Sequence, residues 1–214
     1  MLELRDALTA RHSIAVARYS RALAESAGLP EEDQDLVHTA ALLHDIGKSA
    51  FPDRILSGRE PLAEGDWQLI RLHPYEGALA GAEVLGMSAV SEIVLSHHER
   101  IDGQGYPRGL VDEEIPLLAR IISVADCFDA MTARDSYREP LPTPEAMREL
   151  EQVAGTQLDP AVVSIFLALL DGAGMRPIRG GAGSREGALR GRVSEPDAAP
   201  MRRQPPRRLA RHPR

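Results

Sequence analysis

The sequence predicts an all-α fold. Apolar residues recur at helical spacing in several long segments, and glycine or proline residues separate these segments. No stretch shows the alternation of apolar and polar residues that is typical of a half-buried strand, and no internal repeat is visible. We therefore expect one helical domain over residues 1–171, followed by an extension over residues 172–214.

The first helix is predicted over residues 4–27, where Gly28 and Pro30 follow the apolar stripe. His12 lies in that stripe, and a single histidine on an apolar face is more often a core residue than a metal ligand. The second helix begins with acidic residues after Pro30 and runs into a His-Asp pair at residues 44 and 45. His38 is interpreted as an ordinary residue of this helix.

An irregular loop is predicted over residues 49–63, and a helix is predicted from Glu64 to Leu72. His73 precedes a proline, which is expected to end or kink the helix and to present the imidazole to a cavity. A surface histidine at a helix junction is the alternative. A further helix is predicted from Ser88 to His98, and it ends in two consecutive histidines for which a ligand role is favoured over a solvated pair.

The most hydrophobic helix is predicted from Ile115 to Met131, and its apolar residues cover most of its circumference. It is therefore expected to be buried, with Asp126 in its middle. An isolated buried carboxylate is costly, so Asp126 requires a cation or a dense set of hydrogen bonds. Asp129 and Asp135 are interpreted as solvated or capping residues near the helix end.

Two more helices are predicted, from Thr143 to Val153 and from Asp159 to Leu170, with Asp159 as an N-cap before a proline. Residues 172–214 are rich in Arg, Pro, Gly and Ala and are predicted to be disordered. They contain 11 arginines and three acidic residues. An arm for anionic partners is one interpretation of this tail, and a weakly constrained extension is the favoured one.

The charge balance limits the classes of function. The net charge is −7 although the tail is strongly basic, so the predicted domain is acidic and does not suit sequence-specific or general nucleic-acid binding. The single Cys127 cannot form an internal disulfide and fits a reducing compartment. The longest apolar run, from Val162 to Leu170, is too short to span a bilayer. We therefore expect a soluble, cytoplasmic protein with no membrane span.

The His44-Asp45 pair carries the clearest chemical signal. A neutral imidazole beside a carboxylate that can bridge two cations suits a borderline divalent metal better than calcium. Lys48 lies four residues after His44 and would share its face if the helix continued past Gly47, where an ammonium group could neutralise a phosphate. The alternative is an ordinary helix end, with Gly47 as C-cap and basic side chains at the negative end of the macrodipole.

Further His and Asp residues at helix ends or on buried helix faces are placed to converge on this pair. Together they exceed the needs of one divalent ion and fit two, which would give an attractive seat for a phosphate diester. The candidate metal ligands are His12, His44, Asp45, His73, His97, His98 and Asp126.

Over about residues 6 to 170 the chain resembles an HD-GYP domain, a subgroup of the HD metal-dependent phosphohydrolases. The resemblance rests on four motifs, of which the long one from the paired histidines to Gly-Tyr-Pro is highly specific. They are His44-Asp45-Ile46-Gly47-Lys48, His73-Pro74, the run from His97 to Pro107, and the run from Val124 to Thr132.

The resemblance implies an all-helical HD bundle that hydrolyses cyclic di-GMP to pGpG, GMP or both, by a hydroxide held between two divalent metal ions. Iron and manganese are the expected metals, and His12, His44, Asp45 and Asp126 match ligands shared across HD proteins. Asp45 is expected to bridge the ions. Lys48 matches a lysine that assists at the phosphate, and Tyr106 is expected to line the substrate cleft. The additional ligands of the second metal would be His73, His97 and His98.

The sequence departs from the family pattern at two places. Leu8 stands where some members carry a Glu that helps to bind a third metal, so two ions are expected. Asp135 occupies the usual place of a phosphate-binding arginine, although Arg138 keeps the final basic position. Either Arg134 takes over with a local shift, or the affinity for substrate is reduced.

Two other functions stay open on these residues. In the first, the same metal site hydrolyses another cyclic nucleotide or dinucleotide, such as cyclic GMP-AMP. In the second, the domain is a binding module that has lost turnover. No receiver or other sensor domain precedes the motifs in this sequence, so input is expected to come from a partner or an oligomer, or to be absent. A diguanylate cyclase, a sensor protein and a second copy of the chain are the candidate partners.

Overall fold

We describe a computed structural model of the chain, which covers residues 2–52, 54–55, 61–85, 87–133 and 139–172. Within these ranges the regular structure is helical and no strand occurs, so the predicted all-α class is confirmed. The predicted disordered tail lies outside the described residues, apart from residue 172 at the end of the last helix. Arg134, Asp135 and Arg138 also lie outside the described residues.

The described ranges contain the α-helices named below and two short 3-10 helices. The 3-10 helices are Ile46–Ala50 and Asp112–Glu114. The α-helices are α1 (Leu2–Ser26), α2 (Glu31–Leu43), α3 (Glu64–Ile70), α4 (His73–Leu85), α5 (Ser88–Ser96), α6 (Leu117–Thr132), α7 (Thr143–Val153) and α8 (Pro160–Gly172).

The segment around His73 differs from the sequence prediction. The proline at residue 74 does not end a helix; it lies in the first turn of α4, which begins at His73. Proline fits there because the first backbone N–H groups of a helix have no partner within it, and the ring already fixes a helical φ. Helix α3 therefore ends at Ile70, and a two-residue turn separates it from α4. Helix α4 itself was not predicted from the sequence.

The core forms where α1, α6 and α8 pack together. Each helix contributes one aromatic ring, and the three rings meet edge to face. The ring centroid of Tyr19 lies 5.3 Å from that of Phe128 and 5.9 Å from that of Phe166, and the two phenylalanine centroids are 5.2 Å apart. Each is almost completely buried. Burial of such rings stabilises the fold by about 1.5–3 kcal/mol each. The predicted burial of helix α6 is confirmed, because its inner face has almost no exposed area.

Helix α8 begins as predicted. The carboxylate of Asp159 accepts hydrogen bonds from the backbone N–H groups of Ala161 and Val162, at 2.8 and 3.3 Å, so it caps the helix. The same carboxylate accepts a hydrogen bond from Arg120 of α6 at 2.6 Å, which ties the two helices together. None of the described helices combines the length and apolar character needed to cross a bilayer.

Candidate metal centre

Three histidines are oriented by the helix ends at which they lie. His44 follows α2, His97 follows α5, and His73 opens α4 next to the last carbonyl groups of α3. The Nδ1–H of each donates to a carbonyl oxygen three residues earlier, at 2.7, 2.6 and 2.7 Å respectively, and those carbonyls belong to Ala41, Val94 and Ile70. These carbonyls lack a partner in the helix ladder, so they accept the imidazole without competition. Each Nε2 is thereby left for a ligand.

The seven His and Asp side chains that the sequence singled out lie together, in two groups. Within each group the ligand atoms all lie within 4.8 Å of one another. One group contains Asp45, His73, His97 and His98, and the other contains His12, His44 and Asp126. The residues come from α1, α6 and the ends of α2, α4 and α5, so the fold assembles positions that are far apart in the chain.

Asp45 belongs to the group of His73, His97 and His98 and also faces the other group. Its Oδ1 is 3.4 Å from Nε2 of His73, and its Oδ2 is 3.4 Å from Nε2 of His44. The second oxygen is also 3.9 Å from Nε2 of His12. Each oxygen of this carboxylate therefore faces a different group of imidazoles.

Asp129 orients His12, and the sequence-based interpretation of Asp129 as solvated or capping was wrong. Its Oδ2 lies 2.7 Å from Nδ1 of His12, and the residue is only 4% exposed. The other ring nitrogen of His12 is 3.2 Å from Oδ1 of Asp126. Asp126 and Asp129 are three residues apart on α6 and therefore share a face, which is the sequence signal that was available.

Lys48 reaches the site by a different path from the one expected. Helix α2 ends at residue 43, and Lys48 lies in the 3-10 helix, from which its Nζ donates to Asp45 Oδ2 at 2.6 Å. Gly47 is not a helix C-cap; a Cβ at this residue would lie 2.1 Å from the carbonyl oxygen of His73. The missing side chain lets the His-Asp segment pack directly on the start of α4.

Tyr106 stacks on the cluster from the loop that follows α5. Its ring lies 4.9 Å from that of His98 with an interplanar angle of 29°. The buried carboxylate of Glu99 shapes this loop, because it accepts hydrogen bonds from the backbone N–H groups of Arg108 and Leu110 at 2.7 and 3.0 Å. A Cβ at Gly105 would lie 2.3 Å from the backbone nitrogen of Arg100, so the loop also requires a glycine there.

The environment divides the histidines into neutral and charged ones in the metal-free chain. Burial, together with the nearby Lys48, lowers the pKa of His73 to about 4, and burial with the neighbouring His73 lowers the pKa of His98 to about 3. Burial also lowers the pKa of His97. For His12 burial acts in the same direction, but hydrogen bonds with its two aspartates outweigh it and raise the pKa to about 10.

The carboxylates of Asp45, which is buried, and of Asp126, which is partly buried, both stay ionised. Burial alone would raise the pKa of Asp45, but the charges of His44 and Lys48 hold it well below its usual range. The hydrogen bond and charge of His12 likewise lower the pKa of Asp126. Lys48 responds in the opposite direction, because the negative charge of Asp45 outweighs burial and raises the pKa of the ammonium group. The cluster therefore combines anionic carboxylates with the neutral imidazoles of His73, His97 and His98, whereas His12 must lose its proton before it can bind a metal ion.

The residues present fit divalent metal ions. Nε2 of His44 and Oδ1 of Asp45 are buried and have no hydrogen-bond partner among the described residues. Nε2 of His73 and Nε2 of His97 lie 3.3 Å apart, although both rings use Nδ1–H for a carbonyl, so two lone pairs face each other. A cation would satisfy all four atoms. Imidazole and carboxylate donors suit first-row transition metals.

The HD domain family model matches residues 1–162 of the chain. The chain is 42% identical over 171 residues to a Thermotoga maritima protein named cyclic di-GMP phosphodiesterase, over 78% of this chain and 46% of that protein. It is 36% identical over 172 residues to a Vibrio cholerae protein named 3'3'-cGAMP-specific phosphodiesterase 2, over 78% of this chain and 32% of that protein. The chain thus spans less than half the length of these curated relatives.

A solved structure shares the fold. It is Bd1817, described as an HDG"Y"P protein from Bdellovibrio bacteriovorus, with a TM-score of 0.63 and 27% sequence identity over 77% of this chain and 53% of that chain. The helical architecture, the family match and the motif from the paired histidines to Gly-Tyr-Pro agree with one another. The chain belongs to the HD domain family, in its HD-GYP group.

Proposed function

We propose that this chain is a metal-dependent phosphodiesterase that hydrolyses cyclic di-GMP. The observation that carries the proposal is the position of Asp45, whose two oxygens face two groups of histidines. Relatives that are named cyclic di-GMP phosphodiesterases support the choice of substrate. The products would be pGpG, GMP or both.

In this proposal His12, His44 and Asp126 would hold one divalent ion, His73, His97 and His98 would hold the other, and Asp45 would serve both. Iron and manganese are the proposed metals because they accept mixed imidazole and carboxylate ligands. When bound, such paired ions supply a hydroxide nucleophile and stabilise charge at phosphorus and at the leaving oxygen.

The protein groups have distinct tasks around the metals. Lys48 keeps Asp45 ionised through the 2.6 Å hydrogen bond, and it brings a positive charge to the side of the cluster where a phosphate would be attacked. The hydrogen bonds from Nδ1 keep three imidazoles turned toward the ions. Tyr106, stacked on His98, is proposed to form one wall of the substrate cleft. Arg134 and Arg138 are proposed, from the sequence alone, to bind phosphate groups of the substrate.

A second candidate is the same reaction on 3'3'-cGAMP. The observation that favours it is the similarity to a Vibrio cholerae relative named for that substrate. The third candidate is a binding module without turnover. The sequence feature that favours it is Asp135, a carboxylate where the family pattern has an arginine. Contacts with a diguanylate cyclase, a sensor protein or a second copy of this chain stay predictions.

Anaerobic purification followed by a metal count and a substrate panel tests the proposal. We expect about two iron or manganese ions per chain and the appearance of pGpG or GMP from cyclic di-GMP. His44→Ala and Asp45→Ala should abolish turnover and retain the helical circular dichroism spectrum, whereas His38→Ala, outside the cluster, should behave as wild type. Full activity of Asp45→Ala would refute the mechanism. Faster turnover of 3'3'-cGAMP would favour the second candidate, and binding without turnover the third.

A further inference from the structure

Arg71 lies in the two-residue turn between α3 and α4, two residues before His73. It is the C-cap of α3, and its backbone N–H donates to the carbonyl of Trp67 at 3.0 Å. The preceding carbonyl, that of Ile70, accepts the Nδ1–H of His73 at 2.7 Å. The backbone that carries Arg71 is therefore fixed to an imidazole of the metal cluster.

The side chain of Arg71 extends over the ring of Tyr106. Its guanidinium carbon is 5.9 Å from the ring centroid, within the range of a cation–π contact. Tyr106 in turn stacks on His98 at 4.9 Å. The guanidinium thus stands at the rim of the candidate metal centre, next to the residue proposed to form the wall of the cleft. Arg71 itself is exposed, so a substrate in the cleft can reach it.

The charge of Arg71 is available to a ligand in a way that the charge of Lys48 is not. Lys48 is held by Asp45 at 2.6 Å, whereas Arg71 forms no ion pair with a carboxylate among the side chains that the structure describes. An arginine that lies on an aromatic ring uses the face of its guanidinium and keeps its in-plane N–H groups for an anion. The aromatic contact therefore orients the group and leaves its hydrogen-bonding capacity intact.

We propose that Arg71 is a substrate-binding residue that holds a phosphate of the cyclic dinucleotide. The inference rests on the proposed function and adds a residue to it. A cyclic dinucleotide carries two phosphodiesters, and only one of them can occupy the metal ions while it is cleaved. The other needs a cation beyond the metals, and the planar fork of an arginine matches two phosphate oxygens.

Arg71→Ala, Arg71→Lys and the control Arg148→Ala test the assignment. Arg148 is exposed on α7, where its side chain contacts the carbonyl of Pro144. Two quantities are measured on the metal-loaded chain: the kcat and KM for cyclic di-GMP, and the Kd for a phosphorothioate analogue that resists cleavage. For Arg71→Ala we expect KM and Kd to rise about tenfold or more, with kcat and metal content nearly unchanged. Arg71→Lys should fall between, and the control should match wild type.

Several results would overturn the assignment. An unchanged Kd in Arg71→Ala would show that the guanidinium does not contact the ligand, and a lost metal ion would show that it acts on the fold of the turn. The analogue series also includes cyclic di-AMP, because a loss confined to guanine-containing ligands would indicate a base contact instead of a phosphate contact. If wild type binds the analogue but does not hydrolyse cyclic di-GMP, the proposed function fails, and the Kd of Arg71→Ala still decides the role of Arg71.

Discussion

Asp129 holds His12 by a 2.7 Å hydrogen bond between Oδ2 and Nδ1, so an imidazole on α1 is oriented by a carboxylate on α6. We predict that Asp129→Asn weakens metal binding by about 10–100-fold, as is typical when the partner of a ligating histidine is removed. The amide keeps the size of the side chain but removes the charge that orients the ring. Calorimetric titration of the metal-free chain with Mn²⁺ measures the change in metal affinity.

The control for this substitution is Asp171→Asn, an exposed aspartate near the end of α8. It should leave the affinity for metal unchanged. Because His12 is absent from the group formed by Asp45, His73, His97 and His98, Asp129→Asn should weaken one of two binding events and spare the other. Equal weakening of both events, or of neither, would contradict the role assigned to Asp129.

Metal binding is predicted to release a proton from His12. With a pKa of about 10, this imidazole holds its proton at pH 7.5 in the metal-free chain, and a metal ligand must be neutral. His73, with a pKa of about 4, and His98, with a pKa of about 3, have no proton to lose at that pH. The affinity for metal should therefore rise with pH over the neutral range. Calorimetry in two buffers of different ionisation enthalpy counts the protons released.

His12→Gln should release about one proton fewer than wild type on binding metal, and His38→Gln, outside the cluster, should release the same number as wild type. The same raised pKa affects the stability of the metal-free fold. Since the folded-state value lies above the ordinary value of 6.5, protonated His12 stabilises the fold fully below about pH 6.5, and this contribution is lost as the pH rises through about 10. An unfolding midpoint whose pH dependence is the same in wild type and in His12→Gln would contradict this account.

Gly47→Ala is predicted to damage the metal site through the backbone. The new methyl group would lie 2.1 Å from the carbonyl oxygen of His73 and 2.7 Å from the nitrogen of Gly77, both of them main-chain atoms that cannot rotate away. The start of α4 must then shift and move His73 with it. We expect a loss of about 1–3 kcal/mol in the free energy of unfolding and a reduced metal content.

Gly65→Ala is the matched control for that substitution. Gly65 lies inside α3, and a Cβ there meets no atom within 4 Å. Alanine is favoured over glycine in a helix by about 0.5–1 kcal/mol, so this variant should be as stable as wild type or slightly more stable. Chemical denaturation of the two variants side by side separates the steric effect from the general effect of adding a methyl group. Equal stability of both variants would show that the contact at Gly47 is relaxed without cost.

The sequence was sufficient to predict the helices with strong apolar periodicity and the gathering of the seven His and Asp side chains. It failed where the outcome depends on which helix ends meet in space. The proline at residue 74 is compatible with ending one helix or beginning another, and only the packing of α4 on the 3-10 helix decides between them. Asp129 likewise has the sequence environment of a helix-end residue, and its role depends on α1 lying against α6.

Glu99→Gln is predicted to loosen the loop that carries Tyr106. The two carboxylate oxygens of Glu99 each accept a backbone N–H, from Arg108 and from Leu110, and the residue is 4% exposed. A glutamine can accept only one of these bonds, and its NH₂ group then faces the other N–H. We expect a loss of about 1–3 kcal/mol in the free energy of unfolding and a higher KM, because the ring stacked on His98 loses its support.

Glu113→Gln, at an exposed position of the second 3-10 helix, should change neither quantity. Denaturation and steady-state kinetics of both variants test the idea, and a normal KM in Glu99→Gln would separate the loop from substrate binding.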